Sequence, residues 1–166
     1  NGEIYHGATP SESEIGHLRL DRHGTIVEHR CSGWAVDRKI RELVKSDHRS
    51  VLTNLARGST RGEARFLLKA LEAKDPEAER ILRETSDDLA FALSHVAHLF
   101  HPQVIVIGGG LSLVGEPLRV AVANALRPYL MEVFGQGPAV HLSGLGEDSV
   151  PVGCLAAAVK SHAHHC

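Results

Sequence analysis

The chain reads as an α/β protein with a mixed sheet flanked by helices, and three observations carry that reading. Val104-Ile105-Val106-Ile107 runs four branched apolar residues straight into Gly108-Gly109-Gly110. That is the pattern of a buried parallel strand followed by a backbone-only turn. The second half alternates helix, strand, helix, strand, helix, which is a parallel α/β layout. The first half carries a hairpin signal and reads as antiparallel. Glycines at a strand end let backbone lie close to a ligand, because no Cβ intervenes. In open α/β sheets that ligand sits beyond the carboxyl ends of the strands. A small-molecule or nucleotide face is therefore expected at residues 108–110.

The elements follow in order. Glu3–His6 reads as a short strand, and Gly7–Ser13 as a polar loop. Leu18–Asp21 and Thr25–His29 alternate in polarity around Arg22-His23-Gly24, which predicts a hairpin. Ser32 is an N-cap for a helix over about 34–45. Short helices are expected at 51–56 and at about 62–73. Asp75-Pro76 opens the clearest helix, with Ala78, Ile81, Leu82, Leu89, Leu93, Val96 and Phe100 on one face. His101-Pro102 stops it. After the strand 104–107, a helix is expected over about 116–133, a strand at 139–142 and a final helix through Val159. Within that last helix Cys154 reads as a buried small residue. Asp87-Asp88 reads as a solvated turn of the long helix, and His95, His98 and His101 as its polar flank.

The 166 residues suit one domain or two small lobes. The 18 basic and 20 acidic residues leave a net charge of −2, which gives no electrostatic case for nucleic acid. Cys31, Cys154 and Cys166 are odd in number and widely spaced, which fits a reducing, cytoplasmic setting and no disulfide framework. No apolar run approaches the ~18 residues of a membrane span. The chain opens on Asn1 rather than Met, as if entering a sheet partway, and is expected to be a domain of a longer protein. The His-rich tail 162–166 suits adventitious metal more than a built site.

The glycine turn excludes two familiar motifs. A dinucleotide turn needs G-x-G-x-x-G, and the spacing here is wrong. Gly110 and Gly115 match G-x-x-x-x-G, but Glu116-Pro117 stands where a phosphate loop needs Lys-Ser/Thr.

Four fragments, in order, resemble the ROK family of repressors, uncharacterised reading frames and sugar kinases. They are Asn1-Gly2-Glu3-Ile4-Tyr5-His6-Gly7, Glu14-Ile15-Gly16-His17, Pro102-Gln103 with Val104–Gly110, and Val152-Gly153-Cys154-Leu155-Ala156-Ala157-Ala158. The resemblance implies an actin-like, RNase-H-like ATPase fold, of which 1–166 is the C-terminal lobe. It implies ATP-dependent phosphorylation of a hexose or N-acetylhexosamine, with ATP and Mg²⁺ as cofactors and a homodimer as a family trait. The catalytic base belongs to the N-terminal lobe, so no catalytic residue is assigned here. For Gly108, Gly109 and Gly110 the resemblance implies an adenosine-backing loop; a purely structural tight turn stays open. A sugar-responsive repressor, which would bind DNA through an added upstream module, and a degenerate sugar-binding protein are the alternatives.

The family's zinc-binding cysteine segment is missing: Glu28 is followed by His29-Arg30-Cys31-Ser32-Gly33. Cys31 lacks two of its three thiolate partners, so no structural zinc is expected. Glu28 keeps the spacing of the family's sugar-contacting glutamate. Glu14, His17 and Glu28 are thus the candidate sugar ligands. Carboxylates accept from vicinal hydroxyls and imidazole can donate or accept. E-x-x-H is common, and on residues alone it reads as a solvated loop carboxylate and a strand-end histidine; the surrounding resemblance is what turns the reading toward a sugar.

Overall fold

In chain order the elements are α1 (Val27–Cys31), α2 (Gly33–Lys45), α3 (Val51–Ala56), α4 (Leu67–Glu72), α5 (Pro76–Phe100), β1 (Val104–Ile107), α6 (Glu116–Leu126), β2 (Ala139–Leu142) and α7 (Ser149–Ala163), joined by short 3₁₀ turns. This is a computed structural model; it describes residues 4–9 and 13–163, with side chains to residue 160.

Helix α5 is the spine. Asp75 caps it by accepting from the Glu77 and Ala78 backbone N–H groups at 2.8 and 3.1 Å, and Pro76 supplies a preset φ in the first turn. The same carboxylate accepts from Leu52 N–H at 2.8 Å, so one side chain starts α5 and pins α3. His101 ends the helix in the left-handed region at φ 48°, before Pro102. Along α5, Ala78, Ile81, Ala90 and Leu93 are buried against Val36 and Ile40 of α2, Leu52 of α3, Leu67 of α4, and Leu118, Val122 and Leu126 of α6. The apolar stripe at helical spacing is what drives this burial.

Strands β1 and β2 pair in parallel, with Val104 opposite Ala139 and Ile107 opposite Leu142. Beyond them, Ser143 N–H donates to Ile107 O at 2.8 Å, holding the two carboxyl ends together.

Several expectations change. The sheet is two-stranded and parallel, not mixed, among the described residues. The first half contributes one antiparallel bridge, Arg19 to Ile26. Its turn is held by Asp21, which accepts from His23 and Thr25 N–H. Val27–Cys31 then coils into α1 instead of continuing a strand. Val27 and Cys31, four apart, are both buried beside Ala92 of α5, and that packing outweighs the extended preference of the segment.

Residues 1–3 lie outside the described residues, and Ile4–Gly7 form no strand. A strand exists only through pairing, and Tyr5 instead meets Phe100 edge to face. Phe100 is 63% exposed, so the α5 stripe stops short of it. The helix expected to reach 133 ends at Leu126, where Pro128 has no N–H to continue it.

Asp88 is no solvated carboxylate: it pairs with Arg30 at 2.8 Å and ties α1 to α5, while Asp87 accepts from the Tyr129 hydroxyl. Cys154 is exposed, as is every residue from 150 to 160 on α7. The tail residues 164–166 lie outside the described residues. No helix among the described residues is long and apolar enough to cross a membrane.

Candidate functional site

A cleft of about 440 Å³ opens at the carboxyl end of β1. Its apolar floor is Val27, Cys31, Leu89, Ile107 and Leu111; its walls include Glu14, His17, Glu28, Ser32 and Gly108–Gly110. All six side chains and glycines singled out in the sequence therefore border one space. Among the described residues, no lysine or arginine lines it.

Each wall has a local cause. Glu14 precedes a 3₁₀ turn, Ile15–His17, which brings His17 Nδ1 to 3.7 Å from Glu14 Oε2; both side chains are largely exposed. Gly16 lies against Glu28, whose Cβ would be 3.6 Å from any added methyl. The coil of α1 places Glu28 half-buried on the wall, with no hydrogen-bond or ion-pair partner for its carboxylate among the described residues. Ser32 closes α1 by donating to Glu28 O at 2.6 Å and opens α2 by accepting from Ala35 N–H.

The glycine turn has three separate constraints. A Cβ on Gly108 would meet Ser149 Oγ at 3.0 Å, and one on Gly110 would meet a Glu147 carboxylate oxygen at 3.2 Å. Gly109 has open space around it but sits at φ 75°, ψ −173°, a conformation essentially restricted to glycine. Its N–H donates to Gly146 O at 3.1 Å, and its carbonyl accepts from Ser112 Oγ at 2.7 Å. Replacing Gly109 with alanine is expected to cost about 2 kcal/mol of stability, through backbone strain alone. Chemical unfolding of the variant measures it, and an unchanged midpoint would show that the turn relaxes freely.

Burial pushes the Cys31 thiol up to about 12, reinforced by the negative charge of Asp88 and partly offset by Lys39 and Arg30. Lys39 is itself pulled below its ordinary value by burial and by Arg30, and its Nζ donates to Thr85 Oγ1 at 3.1 Å. A thiol held protonated is a poor metal ligand. Among the described residues, no three His, Cys, Asp or Glu side chains are grouped to hold a metal ion.

Sequence reasoning missed Glu147, which stands over the glycine turn from 37 positions away. It lies on a short acidic turn that carries no motif, so nothing local marked it.

A profile of the ROK family matches residues 1–161. The glucokinase of Thermotoga maritima is 30% identical over 157 residues, covering 90% of this chain and 50% of that protein. The solved ROK family glucokinase from Streptomyces griseus, in complex with glucose and AMPPNP, aligns with TM-score 0.67 and 26% identity over 81% of this chain and 47% of that one. A ROK family transcriptional regulator, a homologue of the E. coli MLC protein, shares the fold with TM-score 0.61 and 20% identity over 77% of this chain and 33% of its own. The chain thus spans about half the length of the glucokinases it matches. Both its sequence and its fold place it in one family: this chain belongs to the ROK family.

Proposed function

We propose that this chain is the C-terminal lobe of a ROK sugar kinase that transfers a phosphoryl group from ATP to a hydroxyl of a hexose or N-acetylhexosamine. The observation that carries this reading is the single cleft bordered by Glu14, His17, Glu28 and the glycine turn. In it, the two carboxylates accept from sugar hydroxyls and His17 donates or accepts beside them. The apolar floor receives the C–H face of the ring. The glycine turn backs the adenosine, since its open side at Gly109 presents backbone alone.

Among the described residues, no lysine or arginine lines this cleft to meet the phosphates. Their handling, and the base that deprotonates the acceptor hydroxyl, fall to the second lobe. Mg²⁺, arriving with ATP, would neutralise phosphate charge when bound. Closure of two lobes would exclude water and suppress ATP hydrolysis. This chain alone is therefore expected to be inactive.

The surface of α7 supports a second lobe. Its sequence is apolar on every side, with Val150, Val152, Leu155 and Val159 all exposed. A helix of that composition is ordinarily buried, and the related glucokinases carry as much chain again as this one.

The test is sugar-dependent ADP release by the full-length protein, screened against hexoses and N-acetylhexosamines. Release that depends on one of these sugars supports the kinase. The similarity to a ROK transcriptional regulator favours one other reading: a sugar-responsive repressor, in which the same cleft binds sugar without transfer. Sugar binding without ADP release, accompanied by sugar-sensitive DNA binding, would replace the kinase with that reading.

A further inference from the structure

We infer that Glu147 is the ribose reader of this cleft: its carboxylate accepts from the 2′- and 3′-hydroxyls of the nucleoside backed by Gly108–Gly110. The inference rests on the kinase reading above and extends it to a residue the motifs do not contain.

Three observations lead to it. A Glu147 carboxylate oxygen lies over Gly110, so close that a Cβ there would stand 3.2 Å from it. The carboxylate has no hydrogen-bond or ion-pair partner among the described residues, although backbone N–H groups start a 3₁₀ turn at Gly110 beneath it. And its backbone is tied to the glycine turn. Gly146 O accepts from Gly109 N–H at 3.1 Å and from Ser149 Oγ at 2.7 Å. Ser149 Oγ in turn meets Ser143 Oγ at 2.8 Å, at the end of β2. The backbone beside Glu147 is thus tied to the turn, and its side chain is exposed, which leaves the carboxylate able to accept from a ligand.

Charge decides what part of a nucleotide can approach it. The cleft carries Glu14 and Glu28 and, among the described residues, no lysine or arginine, and Glu147 adds a further negative charge beside Gly110. A triphosphate beside these carboxylates would be repelled. An adenine ring offers them one amino group. A ribose offers two neighbouring neutral hydroxyl donors, which match the two oxygens of one carboxylate. Glu147 therefore orients the nucleotide, sugar toward the turn and phosphates away.

The experiment compares ATP, 2′-deoxy-ATP and 3′-deoxy-ATP on the full-length protein, wild type against Glu147→Ala and Glu147→Gln. Wild type is expected to prefer ATP over each deoxy analogue by about tenfold in KM, the worth of one charge-assisted hydrogen bond. Glu147→Ala should bring that ratio close to one, by weakening ATP, which loses two bonds, about tenfold more than either deoxy analogue, which loses one; Glu147→Gln should keep part of it. The KM for the sugar should not move. Equal weakening of all three nucleotides, or a fall in thermal stability with the ratio intact, would show a purely structural role and overturn the inference. A wild-type protein that binds no adenine nucleotide would overturn the kinase reading itself. Binding with no hydroxyl preference would remove only the ribose assignment.

Discussion

Replacing Glu28 with alanine in the full-length protein is expected to weaken sugar binding about 100-fold while leaving thermal stability nearly unchanged. The carboxylate is half-buried on the cleft wall and has no protein partner among the described residues. Two bonds from sugar hydroxyls to a charged oxygen pair are together worth about 3 kcal/mol, or roughly two decades of affinity. The fold uses Glu28 through its backbone instead, since its carbonyl accepts from Ser32 Oγ. Alanine preserves that bond. Glu28→Gln, which keeps shape and one acceptor, should lose about tenfold. Titration calorimetry with the cognate sugar gives both numbers. An alanine variant with wild-type affinity would remove Glu28 from the site.

The largest effect on stability is expected at Asp75. Its alanine variant loses the cap of α5 and leaves Leu52 N–H without the acceptor it has now. A lost cap costs about 1 kcal/mol, and a stranded buried donor about 1–3 kcal/mol. The sum is about 3 kcal/mol, readable by urea unfolding of the full-length protein as a shift in the transition of this lobe.

Asp75 also sets an acid limit. Burial alone would raise its pKa, but donation from Leu52, Ala78 and Glu77 N–H, with Ser50 beside them, holds it below the ordinary aspartate value of 3.8. The folded form therefore binds this proton more weakly than the unfolded chain does. The stabilisation is complete above about pH 4, and it is lost as pH falls through the lowered folded value. In Asp75→Ala this part of the acid sensitivity should vanish. A variant as acid-labile as wild type would place the acid limit elsewhere.

Short-range chemistry made much of this fold legible. Ser32 as a cap, the pair Asp75-Pro76, the stop at His101-Pro102 and the branched run of β1 each act within a few residues. The helices and the strand they mark stand where those signals put them. What escaped depends on distant neighbours. Val27–Cys31 coils because α5 offers its two apolar side chains a place to pack. Cys154 reads as buried in an apolar run, yet nothing among the described residues covers it. Pro128 is a local stop signal inside the expected helix, and the helix ends at Leu126, short of it.

The site divides in the same way. Two carboxylates, a histidine and three glycines can be read from motif and spacing, but their meeting in one cleft comes from the turn of α1 and the pairing of β1 with β2. Glu147 carries no local signal, because its place over Gly110 comes from the tie between Gly146 and Gly109.

That tie has a mechanical consequence. Gly109 is bonded to Gly146, and Ser149, the first residue of α7, is bonded to both Gly146 and Ser143. The glycine turn and the root of α7 are therefore one rigid joint. Fifteen helical residues make an arm about 22 Å long. By simple leverage on that length, a tilt of about 10° at the joint moves the far end by about 4 Å. Conversely, whatever grips the far end of α7 has a handle on the backbone of Gly109.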